Sequence, residues 1–150
     1  MKKKKVVICV SLKDEKQTKE LEHLKGSGLL ENCHVQLVSI FKIGRYMNEL
    51  SFYDYPSSDQ YDTIKSSVSE ILESIGRNIA PESAKVESVC LFDANPKLKM
   101  RNYLEQEKID LVISSIRQHG VEGIFTSSFT DYLCRSAPCD VYVVKSRADK

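Results

Sequence analysis

The sequence predicts an α/β domain: an open, five-stranded parallel sheet with helices on both faces. Two observations carry the prediction. Apolar, β-branched runs of strand length alternate with polar stretches of helical period along the chain, and that alternation argues for parallel pairing through right-handed crossovers. The strand-like runs are also nearly continuous in hydrophobicity, as expected of strands covered on both faces. At 150 residues the chain fits a single domain, residues 1–150, long enough to bury one contiguous core.

Each element has a local reason. VVICVSL (6–12) is the first strand. The polar stretch after it carries Leu21 and Leu24 on one helical face, and GSG at 26–28 ends it. HVQLVSIF (34–41) is the second strand. The second helix is the clearest element: Tyr61, Ile64, Val68, Ile71, Leu72, Ile75 and Ile79 recur every three or four residues as one stripe. Ser57 or Ser58 caps its start and Pro81 closes it. KVESVCLF (85–92) is the third strand. Asn95 and Pro96 supply an N-cap and the residue favoured at the first helical position, opening a third helix that turns Leu98, Tyr103 and Leu104 inward. DLVISS (110–115), SSFTDYLCRS (127–136) and DVYVVK (140–145) read as the fourth strand, fourth helix and fifth strand.

Residues 42–58, KIGRYMNELSFYDYPSS, fit less well. The segment is long, aromatic-rich and without a clear period, and long connections in compact domains are usually functional or mobile. Tyr46, Phe52, Tyr53 and Tyr55 are expected in a loop, half-buried against the second helix. Covering a pocket mouth or joining a subunit contact are the alternatives.

Composition narrows the function classes. A chain 41% hydrophobic and 29% charged reads as soluble and globular. Its net charge of +1 gives no field to draw nucleic acid or anionic lipid. The basic residues 2–5 are expected to form a solvated, mobile tail over positions 1–5, and aromatic residues do not interleave with basic ones on any strand face. Neither nucleic acid nor membrane is an expected partner. Lysines followed by VVICVSL imitate a secretion signal, but the apolar run is short, ends in KDEK and lacks a small-residue cleavage site. No segment approaches the roughly 20 apolar residues of a membrane span. Of the five cysteines, Cys9, Cys33 and Cys90 lie in apolar runs, where free cysteine behaves as a small buried hydrophobe. Cys134 and Cys139 are too far apart for a CxxC motif, and no His/Cys cluster has zinc spacing. The expected compartment is the reducing cytoplasm, with no metal and no cofactor.

In open parallel sheets a ligand settles beyond the C-terminal strand ends, where strand order reverses. With the first strand central, the facing ends are Ser11 to Lys13 and Ser114 to Arg117. The second of these opens SSIRQHGVEGIFTSS (114–128), whose Gly120 and Gly123 have the look of a phosphate-cradling loop. A catalytic reading needs a nucleophile, a base and an orienting group. Ser114 or Ser115 with His119 invites one, but ISSIR lacks the glycines of a nucleophile elbow. His23, His34 and His119 read as ordinary polar residues, and Asp93 and Asp110 as cap and turn residues. The chain is not read as an enzyme.

Taken together, these pieces resemble the universal stress protein family. The likeness covers essentially the whole chain: KVVICVSL, VQLVSIF, the long helix, NP opening the third helix, DLVISS, and above all SAPCDVYVVK, which is similar to the APCPVLVV that typically closes members. The resemblance implies a Rossmann-like sheet of order 3-2-1-4-5 and usually a homodimer. In one branch it implies ATP, held by a loop of G-x-x-G, a spacer, then G and S or T, with an aspartate at the end of the first strand near ribose and metal. Backbone amides and the following helix N-terminus would hold the phosphates.

Aligned back from APC, Ser127 and Ser128 take the places of the last glycine and the serine. Arg117 and Ser114 take those of the first two glycines, and Ser11 that of the aspartate. Gly120 and Gly123 fall in the variable part. The residues implied to border a degenerate nucleotide site are Ser11, Ile40, Ser114, Arg117, Ser127, Ser128, Phe129 and Thr130. An anion at the N-terminus of the fourth helix, paired with Arg117, stays open; Arg117 as a solvated loop residue is the plainer reading. The chain thus resembles the branch without the motif, whose members act as stress-response factors with no assigned reaction. An ATP-binding or weakly ATP-hydrolysing member is the alternative. In the implied order the fifth strand is a sheet edge, and an apolar edge is normally covered or paired. Val141, Tyr142, Val143 and Val144 are therefore expected to join a two-fold homodimer. A further protein or small-molecule partner is not specified.

Overall fold

The computed structural model describes residues 2–12, 15–47, 49–116 and 127–145, the side chains of residues 15, 16 and 127 excepted. β1 (Lys5–Cys9) leads into α1 (Glu15–Leu21), which tightens into a 3-10 turn (Glu22–Gly26). β2 (His34–Lys42) is followed by a hairpin of β3 (Gly44–Met47) and β4 (Phe52–Tyr55), then by α2 (Tyr61–Ile79) and β5 (Lys85–Asp93). α3 (Pro96–Gln106), β6 (Leu111–Ile116), α4 (Ser127–Ser136) and β7 (Asp140–Lys145) complete the order. Five strands form one parallel sheet, β5-β2-β1-β6-β7, which is 3-2-1-4-5 once the hairpin is left out of the numbering.

The continuous apolar runs have a simple cause. Successive strand residues point to opposite faces, and both faces are covered. Val6 and Ile8 join Leu21, Leu24, Leu37, Leu72 and Ile79 under α1 and α2. Val7 and Cys9 join Val38, Met100, Leu104, Phe129 and Leu133 under α3 and α4. α2 comes close to the sheet at Gly76, where an added Cβ would stand 3.0 Å from Val86 Cγ1 and 3.1 Å from Leu37 Cδ1.

Caps and turns are largely as expected. Asn95 accepts from Leu98 N at 3.3 Å, and Asp93 Oδ1 from Asn95 N at 2.8 Å. Ser57 and Gln60 clasp each other through Ser57 N to Gln60 Oε1 and Gln60 N to Ser57 O, both 2.9 Å, in a 3-10 turn (Ser58–Gln60) that runs into α2. No helix among the described residues is long and apolar enough to cross a membrane.

Several expectations need correction. β1 stops at Cys9, short of Leu12, because the Ser11 amide turns to a side chain of α1. The basic run is not wholly a tail: Lys5 opens β1, its N donates to the Asp110 carboxylate at 2.8 Å, and Lys4 O accepts from His34 N at 2.9 Å. Leu98 is exposed. The buried line of α3 runs through Met100 and Leu104, and Leu98 stands two residues from Met100, on the opposite side of the helix. Ile71 is likewise exposed, at the margin of the stripe that Val68, Leu72 and Ile79 bury. Cys90 is only half-buried, since β5 is an edge strand.

The largest correction concerns residues 42–58, which form a hairpin and not a loop packed on α2. Tyr46, Phe52, Tyr53 and Tyr55 are exposed, from 48% at Tyr53 to 68% at Phe52. Pairing of Gly44 with Tyr55 and Tyr46 with Tyr53 gathers the tyrosines on one face, with ring centroids 5.7 and 6.5 Å apart. Arg45 and Asp54 pair on the other face at 3.0 Å. The Tyr46 ring lies over Gly44, where a Cβ would stand 2.7–2.9 Å from it, so any larger residue there would have to turn that exposed ring aside.

Candidate functional site

The sheet order reverses between β1 and β6, so the crevice beyond their C-terminal ends is where this architecture places a ligand. The groups that meet there come from β1, α1, β6 and α4. Ser114 and Ser115 precede the last residue of β6, on opposite faces. Ser114 is 1% exposed and lies 2.7 Å from Thr130 Oγ1 of α4. Thr130 spends its own proton on Ser115 O at 2.9 Å, so Ser114 is the donor between the two hydroxyls.

On the other face, α1 sends Gln17 into the crevice. Its Oε1 accepts from Ser11 N at 2.7 Å, and its Nε2 donates to Ser115 Oγ at 3.2 Å and Cys9 O at 3.4 Å. The side chain is 2% exposed. A buried amide with such partners is costly to displace. Gln17 was not among the residues expected at the site, yet its signal is in EKQTKEL. It is the uncharged polar residue four and seven positions before Leu21 and Leu24, hence on the inward face of the helix.

The expected site residues are thus only partly brought together. Ser11, Ser114 and Thr130 meet around the crevice. Ile40 stands on β2 at the height of Ser11, two residues past the Cys9–Val38 pair, with its side chain in the core under α3 and α4. Phe129 is fully buried in that same core, so its ring is a packing element and not a ligand-facing one. Ser128 is exposed. Lys13, Arg117, His119, Gly120, Gly123 and the Ser127 side chain lie outside the described residues. In β7, Val141 is half-buried, Tyr142 and Val143 are each 37% exposed and Val144 is in the core.

The described groups lining the crevice are neutral amides and hydroxyls. Ser115 Oγ faces an amide, not a base, so no described group there draws off its proton. Burial pushes the Cys9 thiol well above its ordinary value, with Cys139 adding to the shift, and a protonated thiol is a poor nucleophile. His34 sits at the opposite end of the sheet, 3.1 Å from Glu87. His23 Nδ1 lies 2.5 Å from Glu20 O. The described amide and hydroxyls are arranged to hold two strand ends together.

Fold and crevice together define a Rossmann-like α/β protein with a crevice at the β1–β6 switch point. A family model described as the universal stress protein family matches residues 4–145, and the chain belongs to that family. Curated proteins give no match. Among solved structures the chain is similar to the universal stress protein from Archaeoglobus fulgidus, with TM-score 0.63 and 16% identity over 95% of this chain and 98% of that one. It is similar to the universal stress protein from the same organism in complex with dAMP, with TM-score 0.61 and 14% identity over 97% and 100% of the two chains. A universal stress protein family protein from Arabidopsis thaliana with AMP bound gives TM-score 0.59 and 14% identity over 98% and 94%.

Proposed function

We propose that this protein is a non-catalytic stress-response regulator that does not hold ATP in the manner of its family's nucleotide-binding branch. The observation that carries this reading is Gln17, whose buried amide ties Ser11, Cys9 and Ser115 together at the base of the crevice. The missing carboxylate at Ser11 and missing glycines at Ser114, Arg117 and Ser127 support the same reading. Native mass spectrometry of untreated protein and melting with millimolar Mg-ATP test it. The expected result is a mass accounted for by protein alone, with no bound nucleotide, and an unmoved Tm. A ligand at 100 times its Kd would add about 2.7 kcal/mol, so a clear upward shift or copurified ATP overturns the proposal.

The relatives crystallised with AMP and dAMP favour one second reading, a nucleoside monophosphate in the same crevice. A monophosphate asks less of a phosphate loop than ATP does. Adding AMP and dAMP to the same melting series decides between the two.

We also infer a two-fold contact at the β7 edge, where exposed Tyr142 and Val143 and the unpaired backbone call for cover. Val143→Pro should lower the assembled mass; light scattering that finds it unchanged removes this contact from the account. We infer that the protein works in the cytoplasm, a reading the free thiols support because cysteines stay reduced there.

A further inference from the structure

The opposite edge of the sheet has no cover among the described residues either. β5 pairs with β2 along its whole length, and no described strand lies on its other side. It is nine residues long and carries neither proline nor a register break. Edge strands are normally shortened, bulged or charged along their middle; here Ser88 to Leu91 is uncharged and half-exposed. Ser88 Oγ is buried with no hydrogen-bond partner among the described residues, and Val86 is exposed. α2 runs antiparallel above this edge, with Lys65 over Phe92 at one end and Gly76 against Val86 at the other. Two open grooves of about 580 and 490 Å³ follow the seam between helix and strand.

We propose that β5 is a self-docking edge whose partner is β5 of a second copy of this chain, paired antiparallel about Val89. The strand KVESVCLFD is complementary to itself in that register. Lys85 faces Asp93 of the second copy at both ends, Val86 faces Phe92, Ser88 faces Cys90, and Val89 meets Val89 on the axis. Ser88 and Cys90 set two uncharged, half-buried residues opposite each other, and exposed Val86 gains a ring. Glu87, which would face Leu91, has its carboxylate turned aside toward His34 at 3.1 Å. The helices agree with the strands. The same two-fold sets Lys65 of one copy beside the Glu73 end of the other α2, across Ser66 and Ser69, which are small enough for close approach. β7 lies at the far edge, so the two contacts do not compete, and both together carry assembly beyond a dimer.

Val89→Cys in the full chain, with exposed Cys134 replaced by serine, tests the register directly. Mild oxidation should give a covalent dimer joined 89 to 89 by peptide mass spectrometry, because only this register sets residue 89 against itself. Charge exchange tests the partner. Within one chain residues 85 and 93 stand about 26 Å apart, so they interact only between copies. Lys85→Glu should raise the dissociation constant by roughly an order of magnitude, both end pairs becoming like charges. Lys85→Glu with Asp93→Lys should restore it. No 89–89 disulfide, or no rescue in the exchanged pair, overturns the proposal, as does a sedimentation profile unchanged by Val89→Pro at every concentration.

Discussion

Gln17 uses both ends of its amide inside the crevice, so replacing it leaves Ser11 N, Cys9 O and Ser115 Oγ to find other partners at once. A buried donor or acceptor left unsatisfied costs about 1–3 kcal/mol, and Gln17→Ala is expected to lose stability in that range. Gln17→Glu keeps the shape and the acceptor for Ser11 N but turns a carboxylate toward the Cys9 carbonyl, so it should do no better. Urea unfolding checks both, the midpoint falling at constant m; an unmoved midpoint would mean that water replaces the amide. The same residue shows what the sequence hides at this scale. Its spacing to Leu21 and Leu24 put it on the inward face, but which strand end it would reach depends on the β1–β6 pairing, and that is a tertiary fact.

Elements were legible in proportion to how far local chemistry alone decides them. α4 and β7 have the bounds that their patterns predict, and Asn95 caps α3 because the N-cap and Pro96 need no distant neighbour. The hairpin was not legible. Its strands are four residues each, too short for a period to show, and its rings are satisfied by one another instead of by the core. Since among the described residues those strands pair only with each other, amides at residues 44–55 should exchange far faster than those of β1 and β2. Slow exchange there in the isolated chain would show that the hairpin has cover. The α2–sheet contact makes a sharper prediction. Gly76→Ala gains about 1 kcal/mol of helix propensity but overpacks against Leu37 and Val86, at a cost of about 1–3 kcal/mol. Leu37 is fully buried and cannot yield, whereas Val86 is at the edge. The single variant should melt lower, and Gly76→Ala with Val86→Ala should recover part of the loss. A single variant melting at or above the parent would show that the helix lifts freely.

At the scale of the whole molecule, parallel order follows from alternation and crossover handedness, which is why it was legible. The β7 edge was expected from the implied strand order, whereas the character of the β5 edge was not read, because edge behaviour depends on what a second chain offers. Covering both faces of the sheet also sets how stability responds to alkali. Weak acids sit in or beside the two cores and are neutral there. Burial pushes the Cys90 thiol from 9.0 up to about 11, offset in part by Lys65. Burial, with Glu107 and Glu87, pushes the Tyr103 phenol, which donates to Gln36, from 10.0 up to about 12. Cys9 and Cys139 are raised too, mainly by burial. The sign follows from proton counting: above its unfolded pKa each group is ionised in the unfolded chain but still protonated in the folded one, so stability falls as pH rises. The contribution is intact below about pH 9 and is lost through the window from 9 to 12. Urea midpoints measured under reductant at steps across that window should decline, and Cys90→Ala should decline less steeply than the parent from pH 9 to 11. Parallel curves for the two proteins would mean that the Cys90 thiol titrates as it does in water, and that the groove between α2 and β5 is wetter than its half-buried thiol implies.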